Sequence, residues 1–274
     1  MKQIILFVLI LIFTINLLAQ NTEPSQLDGT RYGVVYDVPA TKDVKLKANI
    51  PYLTDAKGTE VIDVFTPPNA QAGDKFPAVI FFNSAGEPPV GKAKNWGIYQ
   101  TFPRLVATQG MVGISMTVDG TRIQDCLRAL FDFVEKEGAK HNIDATRLGV
   151  YAASANVTQG ANYLMNEKVS KGIKAAVLYY GGVPNMAYRK DLPVLFVVAE
   201  TDFARNSQQY ANLWQKVSES RAPWTVMFAS RMPHAETFSL DDVLAGRLEL
   251  EGELRRGAQE RRRVRGTGAN LHVI

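Results

Sequence analysis

The chain has 274 residues, of which 46% are apolar and 21% are charged. This is the composition of an ordinary globular protein, and it excludes a disordered chain, a collagen-like repeat and a coiled coil. A chain of this length buries enough surface on folding to need no disulfide or metal cross-link. The single cysteine, Cys126, excludes an intrachain disulfide.

The formal net charge of +4 is concentrated at the end of the chain. Residues 247–274 contain seven Arg, four Glu and no Lys or Asp, and together with Lys2 they account for the whole of this charge. Residues 20–246 therefore carry no net charge. Because a nucleic-acid site requires a basic surface on the folded domain, the charge distribution predicts no nucleic-acid partner.

The first 19 residues have the pattern of a secretory signal peptide. A short basic start precedes an apolar run from Ile4 to Leu18, and Ala19 ends the run before a polar sequence. About 15 apolar residues are fewer than the roughly 20 that a membrane-spanning helix needs. We therefore predict a cleaved signal, a secreted or periplasmic protein, and no stable membrane anchor after cleavage. The alternative is an uncleaved membrane anchor.

Segments that predict β-strands are distributed along the chain. Three short alternating segments rich in Val, Ile and Tyr predict an antiparallel start to a sheet: Tyr32 to Val38, Val44 to Tyr52 and Glu60 to Phe65. Six continuous apolar runs follow, each typical of a strand buried on both faces: Pro77 to Phe82, Val112 to Met116, Leu148 to Ala152, Ala175 to Tyr180, Val194 to Val198 and Thr225 to Phe228.

Helical segments lie between these runs, and the clearest is Thr121 to Glu137. Its apolar residues recur at helical spacing, and Gly138 supplies a stop signal. Alternating strands and helices predict a single-domain α/β fold with a mostly parallel central sheet, helices on both faces and antiparallel N-terminal strands. In such a sheet the ligand site lies at the carboxyl ends of the strands.

Ser154 is a candidate nucleophile because it lies where a buried strand turns abruptly into a helix, within residues 147–164. Such a turn exposes the hydroxyl and directs the next backbone N–H and the helix N-terminus at a developing oxyanion. The turn usually has Gly two residues before and two after the serine, where this chain has Ala152 and Asn156. Asparagine tolerates a positive φ better than other residues with a side chain, but that side chain needs room. The alternative is that Ser154 only caps the helix.

Three further segments place suitable groups at the same edge of the predicted sheet. The loop from Asn83 to Glu87 follows a strand and offers backbone N–H groups for an oxyanion. Asp202 follows the strand that ends at Val198, and His234 follows the last strand. A carboxylate and an imidazole are the partners that a nucleophilic serine requires.

The other two histidines are unsuitable as partners of the serine. His141 lies in the connection that enters the Ser154 strand, on the opposite edge of the sheet, and His272 lies in the terminal tail. The order Ser154, Asp202, His234 on successive strand ends therefore predicts a Ser-His-Asp catalytic triad.

Over about residues 59 to 238 the chain resembles the α/β-hydrolase family, in particular its secreted esterase and dienelactone-hydrolase-like members. Asp63 to Pro67 is similar to the strand with which the family's domain begins. Phe81 to Gly86 stands where the family has an oxyanion loop of the His-Gly-Gly type. The three triad segments complete the resemblance.

The resemblance implies a role for each residue of the site. Ser154 would attack an ester carbonyl, His234 would accept and return the proton, and Asp202 would orient the imidazole. The backbone N–H of Ala155 and one near Ser84 would bind the oxyanion. No metal and no organic cofactor is implied.

Dienelactone hydrolases use a cysteine nucleophile, so Cys126 is a second candidate. It lies within the predicted helix from Thr121 to Glu137 and not at the strand-to-helix turn. The sequence therefore favours a structural role for this cysteine.

We divide the chain into a signal peptide (1–19), N-terminal strands (20–58), an α/β-hydrolase core (59–240) and an atypical Arg-rich tail (241–274). In the family a final amphipathic helix follows the histidine and packs on the sheet, whereas this tail has only a thin apolar stripe. Two hypotheses stay open for the tail: a solvated Arg/Glu extension, or a sequence translated from an altered reading frame.

The leading functional interpretation is a secreted serine esterase that acts on a small or carbohydrate-linked ester. The alternative is a catalytically impaired binding protein on a hydrolase scaffold, suggested by Asn83, Asn156 and the tail. An exopeptidase of the same fold normally carries a large extra domain, for which the stretch before the core is too short. Trp96, Tyr99 and Phe203 are aromatic residues that either line the substrate pocket or belong to the core.

Overall fold

The computed structural model describes residues 38–83, 85–88, 91–166, 168–169, 171–183 and 186–230. The predicted signal peptide, most of the predicted strand from Tyr32 to Val38 and the tail 241–274 lie outside these residues. Val38 is followed by a 3₁₀ turn, Pro39–Asp43. The prediction of a strand at this position is therefore untested except at its last residue.

The described residues form one sheet of eight strands in the order β1-β2-β4-β3-β5-β6-β7-β8. β1 pairs with β2 and β2 with β4 in antiparallel orientation, and all other neighbours are parallel. The predicted mixed sheet with an antiparallel start is thus confirmed. The strands are β1 Lys45–Asp55, β2 Gly58–Thr66, β3 Phe76–Phe81, β4 Val112–Met116, β5 Ile143–Ala153, β6 Ile173–Tyr179, β7 Val194–Ala199 and β8 Trp224–Ala229.

Four α-helices lie in the described part of the chain: α1 Gly97–Thr108, α2 Ile123–Glu137, α3 Asn156–Leu164 and α4 Glu200–Ser220. None of them combines the length and the apolar character that crossing a membrane requires. Alternate residues of β5 show how the helices are divided between the faces. Val150 and Ala152 belong to the large cluster that contains the apolar residues of α2, α3 and α4, whereas Tyr151 and Ala153 belong to the cluster that contains those of α1.

α2 confirms the clearest helix of the sequence analysis, although it begins two residues later than predicted. The carboxylate of Asp119 accepts hydrogen bonds from the backbone N–H and the hydroxyl of Thr121, and it also contacts Arg122. This turn holds the preceding residues out of the helix, as a local Asx turn does. The apolar stripe of α2 is fully buried against the sheet: Cys126, Leu127, Leu130, Phe131 and Val134.

A buried ion pair joins β2 to the segment that precedes α1. The ammonium of Lys94 lies 2.9 and 3.0 Å from the two carboxylate oxygens of Asp63, and both side chains are buried. The same carboxylate accepts hydrogen bonds from the backbone N–H of Asn49 and the side-chain amide of Gln100. The charge of the Asp63 carboxylate is balanced by Lys94, and both of its oxygens accept hydrogen bonds. The ion pair therefore holds the start of α1 against the sheet.

Replacing Lys94 by methionine should lower the free energy of unfolding by about 3–5 kcal/mol, because Asp63 would remain as a buried carboxylate without a counter-charge. Denaturant unfolding followed by circular dichroism measures this change. Lys92→Met is the matched control, because Lys92 is exposed and lies two residues earlier. The control should shift the free energy by less than about 0.5 kcal/mol. An equally small shift for Lys94→Met would contradict a stabilising role for the pair.

Candidate active site

Ser154 occupies a sharp turn between β5 and α3, as the sequence predicted. Its φ is 55°, in the left-handed region, and α3 begins two residues later at Asn156. The backbone N–H of Ser154 donates to the carbonyl of Tyr179 at 2.9 Å, and its own carbonyl accepts from Val157 at 3.0 Å. The turn is therefore fixed both to β6 and to the first turn of α3.

The positive φ falls on the serine itself and not on Asn156, whose place at the start of α3 does not require it. Our expectation that positive-φ tolerance matters at position 156 was therefore wrong. A left-handed φ costs a residue with a side chain roughly 1–2 kcal/mol. Strain of this kind is typical of functional positions that the surrounding structure holds in place.

The chain just after β6 approaches the turn closely at Gly181. A Cβ at this position would lie 2.3 Å from Cβ of Val157 and 2.4 Å from the backbone oxygen of Ser154. Gly181 is therefore the position where a side chain collides with the turn. Sequence analysis did not single it out, although two consecutive glycines after a buried strand are a signal that could have found it.

Ser154 lines a cavity of about 330 Å³ at the carboxyl edge of the sheet. Ala155 lies beside it where α3 begins and also lines the cavity; its backbone N–H as an oxyanion donor stays a prediction. Trp96 and Tyr99, which the sequence left as pocket or core, both line the cavity, whereas Phe203 does not. The lining residues are Asn83, Ala85, Gly86, Glu87, Pro88, Ala93, Trp96, Tyr99, Ala153, Ser154, Ala155 and Asn156.

The loop after β3 forms part of the wall of this cavity. The backbone N–H of Ala85 donates to the side-chain oxygen of Asn156 at 2.7 Å. The carboxylate of Glu87 accepts from the backbone N–H of Ala93 at 2.7 Å and of Val118 at 2.9 Å. The predicted oxyanion donor Ser84 lies outside the described residues.

Asp202 lies in the first turn of α4, which begins directly after β7, and the residue is only 6% exposed. Burial, with a smaller contribution from the charge of this carboxylate, raises the pKa of Tyr210 to about 12. In the strand order β7 stands two strands from β5, a separation of roughly 10 Å between strand axes. In the predicted triad the imidazole of His234 links Asp202 to Ser154, and this link stays a prediction.

The predicted base, His234, lies outside the described residues. The last described residue is Ser230, which follows β8 at the same edge of the sheet. The Ser230 hydroxyl donates to the carboxylate of Glu200 at 3.0 Å, so the chain leaves β8 close to the start of α4. His234 follows four residues later in the sequence.

The alternative candidates lie elsewhere. His141 precedes β5 at the opposite edge, where its ring stacks on Phe133 and its Nδ1 lies 3.4 Å from the ammonium of Lys47. Burial lowers the pKa of His141. Cys126 is buried within α2, and burial raises the pKa of its thiol, which disfavours the reactive thiolate. Neither residue lines the Ser154 cavity.

A larger cavity of about 790 Å³ lies away from Ser154, on the face of the sheet that packs against α1. Its lining is mainly apolar and includes Phe81, Phe102, Val106 and Tyr151. It contains none of the predicted site residues. Among the residues that the structure describes, no group of three or more His, Cys, Asp or Glu is arranged to hold a metal ion.

Solved structures of esterases have a similar arrangement of strands and helices. A thermophilic esterase from the planctomycete Thermogutta terrifontis, with propionate bound, is 15% identical with a TM-score of 0.56, and the match covers 79% of this chain and 94% of that one. Esterase B from Lactobacillus rhamnosis, in an inhibited form, is 12% identical with a TM-score of 0.58, and the match covers 85% and 92% of the two chains. The chain has the α/β-hydrolase fold.

No protein-family model matches the sequence, and none of the curated proteins is significantly similar to it. The similarity to the esterases is therefore a similarity of fold. Within this α/β-hydrolase fold, the described residues bring Ser154, Ala155, Asn83 and Asn156 to one cavity and place Asp202 at the same sheet edge. The dienelactone-hydrolase-like subfamily of the sequence analysis stays a prediction.

Proposed function

We propose that this protein is a secreted serine ester hydrolase that acts on a small or carbohydrate-linked ester. The observation that carries the proposal is the strained Ser154 turn, which opens into a cavity of about 330 Å³ at the carboxyl edge of the sheet. A serine on a strained turn between a buried strand and a helix N-terminus is the arrangement of the nucleophile in α/β-hydrolases.

The proposed mechanism assigns one step to each residue. The Oγ of Ser154 attacks the ester carbonyl while His234 accepts its proton, and His234 then returns the proton to the leaving alcohol. Asp202 orients the imidazole, and water releases the acyl group by the same route. The backbone N–H groups of Ala155 and Ser84 bind the oxyanion, each contributing about 3 kcal/mol to the stabilisation of the transition state.

The size and lining of the cavity support a small acyl group. Trp96 and Tyr99 line it, and an indole ring offers a face on which a sugar ring can stack. The Thermogutta esterase has been solved with propionate and with butyrate bound, and esterase B as a complex with a tributyrin phosphonate. As part of the proposal, we extend the binding of short acyl groups to the present chain.

A catalytically impaired binding protein is the second candidate. It is favoured by the hydrogen bond between Asn156 and the N–H of Ala85, because that N–H belongs to the loop expected to supply an oxyanion donor. A protein of this kind would keep the fold and the cavity but would not activate Ser154.

Labelling with a fluorophosphonate tests the nucleophile directly, because the probe reacts with an activated serine whatever the natural substrate is. The Thermogutta esterase is described as phosphonylated by sarin, which supports the choice of an organophosphorus probe. We expect one adduct, located on Ser154 by peptide mass, and at least a roughly 10³-fold slower reaction in His234→Ala. His141→Ala is the matched control and should label at the wild-type rate. A folded protein without an adduct would support the binding protein instead.

Secretion is a separate part of the proposal and depends on residues 1–19 alone. N-terminal sequencing of the exported protein should give a new terminus at Gln20. An intact Met1 terminus in a membrane fraction would support the uncleaved anchor.

A further inference from the structure

Asn156 occupies a position that is usually glycine in a nucleophile turn, and its side chain fills the space between three elements. The residue is only 8% exposed, and it is the first residue of α3. Its Oδ1 accepts the backbone N–H of Ala85 at 2.7 Å, and its Nδ2 donates to Oη of Tyr99 at 3.0 Å. One carboxamide thus connects the nucleophile turn, the loop after β3 and α1.

The two hydrogen bonds define the orientation of this carboxamide. The N–H of Ala85 faces the Oδ1 of Asn156, and the hydroxyl oxygen of Tyr99 faces its Nδ2. If the carboxamide rotated by half a turn, its NH₂ group would face the N–H of Ala85, and two donors would then oppose each other. Tyr99 is itself fixed, because its backbone carbonyl accepts the hydroxyl of Ser115 and its ring lies in the core. Burial raises the pKa of Tyr99 well above its usual value, so the hydroxyl stays neutral.

The loop after β3 is held at its far end by other contacts. Glu87 is bound by the N–H groups of Ala93 and Val118, and a Cβ at Gly86 would lie only 3.3 Å from Cα of Gly120. These contacts fix the loop to the segment that precedes α1 and to the segment that follows β4, but not to Ser154. The hydrogen bond from Ala85 to Asn156 supplies a direct connection between the loop and the start of α3.

We infer that Asn156 is a positioning residue that holds the loop after β3 at a set distance from Ser154, so that the backbone donors of the loop and of α3 face one point in the cavity. The inference rests on the proposed ester hydrolysis, because that reaction requires two converging N–H donors. A displacement of about 1 Å in such a site costs about 10²-fold in rate. The side chain of Asn156 thereby replaces the tight backbone packing that glycine gives.

Asn156→Gly tests this role, because it removes both hydrogen bonds and leaves the residue usual at this position. We expect kcat for a short-chain p-nitrophenyl ester to fall by about 10- to 100-fold. KM should change by less than about threefold, since the cavity lining is otherwise kept. Hydrogen exchange of the Ala85 amide, followed by NMR, should become about fivefold faster or more, as the loss of one hydrogen bond predicts.

Two further variants separate positioning from general stability. Thr158→Val removes a hydrogen bond from the same helix to Gly182, at 2.9 Å in the structure, and should leave kcat and Ala85 exchange unchanged. Tyr99→Phe keeps the bond to Ala85 but loses the partner that orients the carboxamide. It should give an intermediate loss of kcat and serves as the second test if Asn156→Gly folds poorly.

A kcat for Asn156→Gly equal to or above that of the wild type would overturn the inference, because the side chain would then withhold a donor from substrate. Unchanged Ala85 exchange would overturn it as well. Failure of the proposed function looks different: the wild type would neither hydrolyse esters nor react with a fluorophosphonate. In that case the Ala85 exchange rates still decide whether Asn156 holds the loop.

Discussion

Replacing Ser154 by alanine is expected to lower kcat/KM for ester hydrolysis by about 10³-fold or more, because the acyl-enzyme route is lost. The folded structure should be kept, since the backbone hydrogen bonds that fix the turn do not involve the side chain. Steady-state kinetics on a p-nitrophenyl ester measures the loss. Activity within about tenfold of the wild type would exclude Ser154 as the nucleophile.

The same position gives a stability test that does not depend on the substrate. Ser154 has a φ of 55°, which glycine adopts without steric cost. Ser154→Gly should therefore be more stable than Ser154→Ala by about 1 kcal/mol, after the larger entropy of glycine in the unfolded chain is deducted. Thermal or denaturant unfolding of the two inactive variants measures this difference. A less stable glycine variant would contradict strain at this residue.

Gly181→Ala is expected to reduce both stability and activity, although the native residue has no side chain. The added Cβ would lie 2.3 Å from Cβ of Val157 and 2.4 Å from the backbone oxygen of Ser154. Backbone must then move, which should lower the free energy of unfolding by about 3 kcal/mol. A shift of about 1 Å in the nucleophile turn should also reduce kcat by about 10²-fold.

Gly182→Ala is the matched control, because a Cβ there meets the flexible end of Gln209 at 3.0 Å and no backbone. We expect it to change the free energy of unfolding by less than about 1 kcal/mol and to leave kcat near the wild-type value. Equal behaviour of the two variants would show that the approach of β6 to Ser154 is not critical. Denaturant unfolding measures the free energy of unfolding of both variants, and steady-state kinetics measures their kcat.

The strands show where sequence patterns are sufficient. β4 has the predicted bounds, because all five of its residues are buried and the apolar run coincides with the strand. β5 begins at Ile143, five residues before its apolar run. The polar residues between them belong to the strand because Ile143 pairs with Phe76 of β3. Strand ends of this kind depend on a partner far away in the sequence and leave no local signal.

The candidate site shows the same division. Ser154, Ala155 and Asp202 could be selected from the sequence, because each follows a recognisable buried strand and the carboxyl ends of parallel strands share one edge. The hydrogen bonds of Asn156 could not be predicted from the sequence, because its partners Ala85 and Tyr99 lie 71 and 57 positions away. The sequence showed only that the position departs from glycine.

The sequence by itself determined the class of fold, the direction of most strands, the helix α2 and the edge at which chemistry can occur, because periodicity and apolar runs are local properties of a chain. The tertiary structure decided the close approach of Gly181, the pairing of Lys94 with Asp63 and the bridge made by Asn156. Each of these depends on side chains or backbone that meet only after the sheet has formed. A contact between distant residues has no period, and it can be known only when the packing that creates it is known.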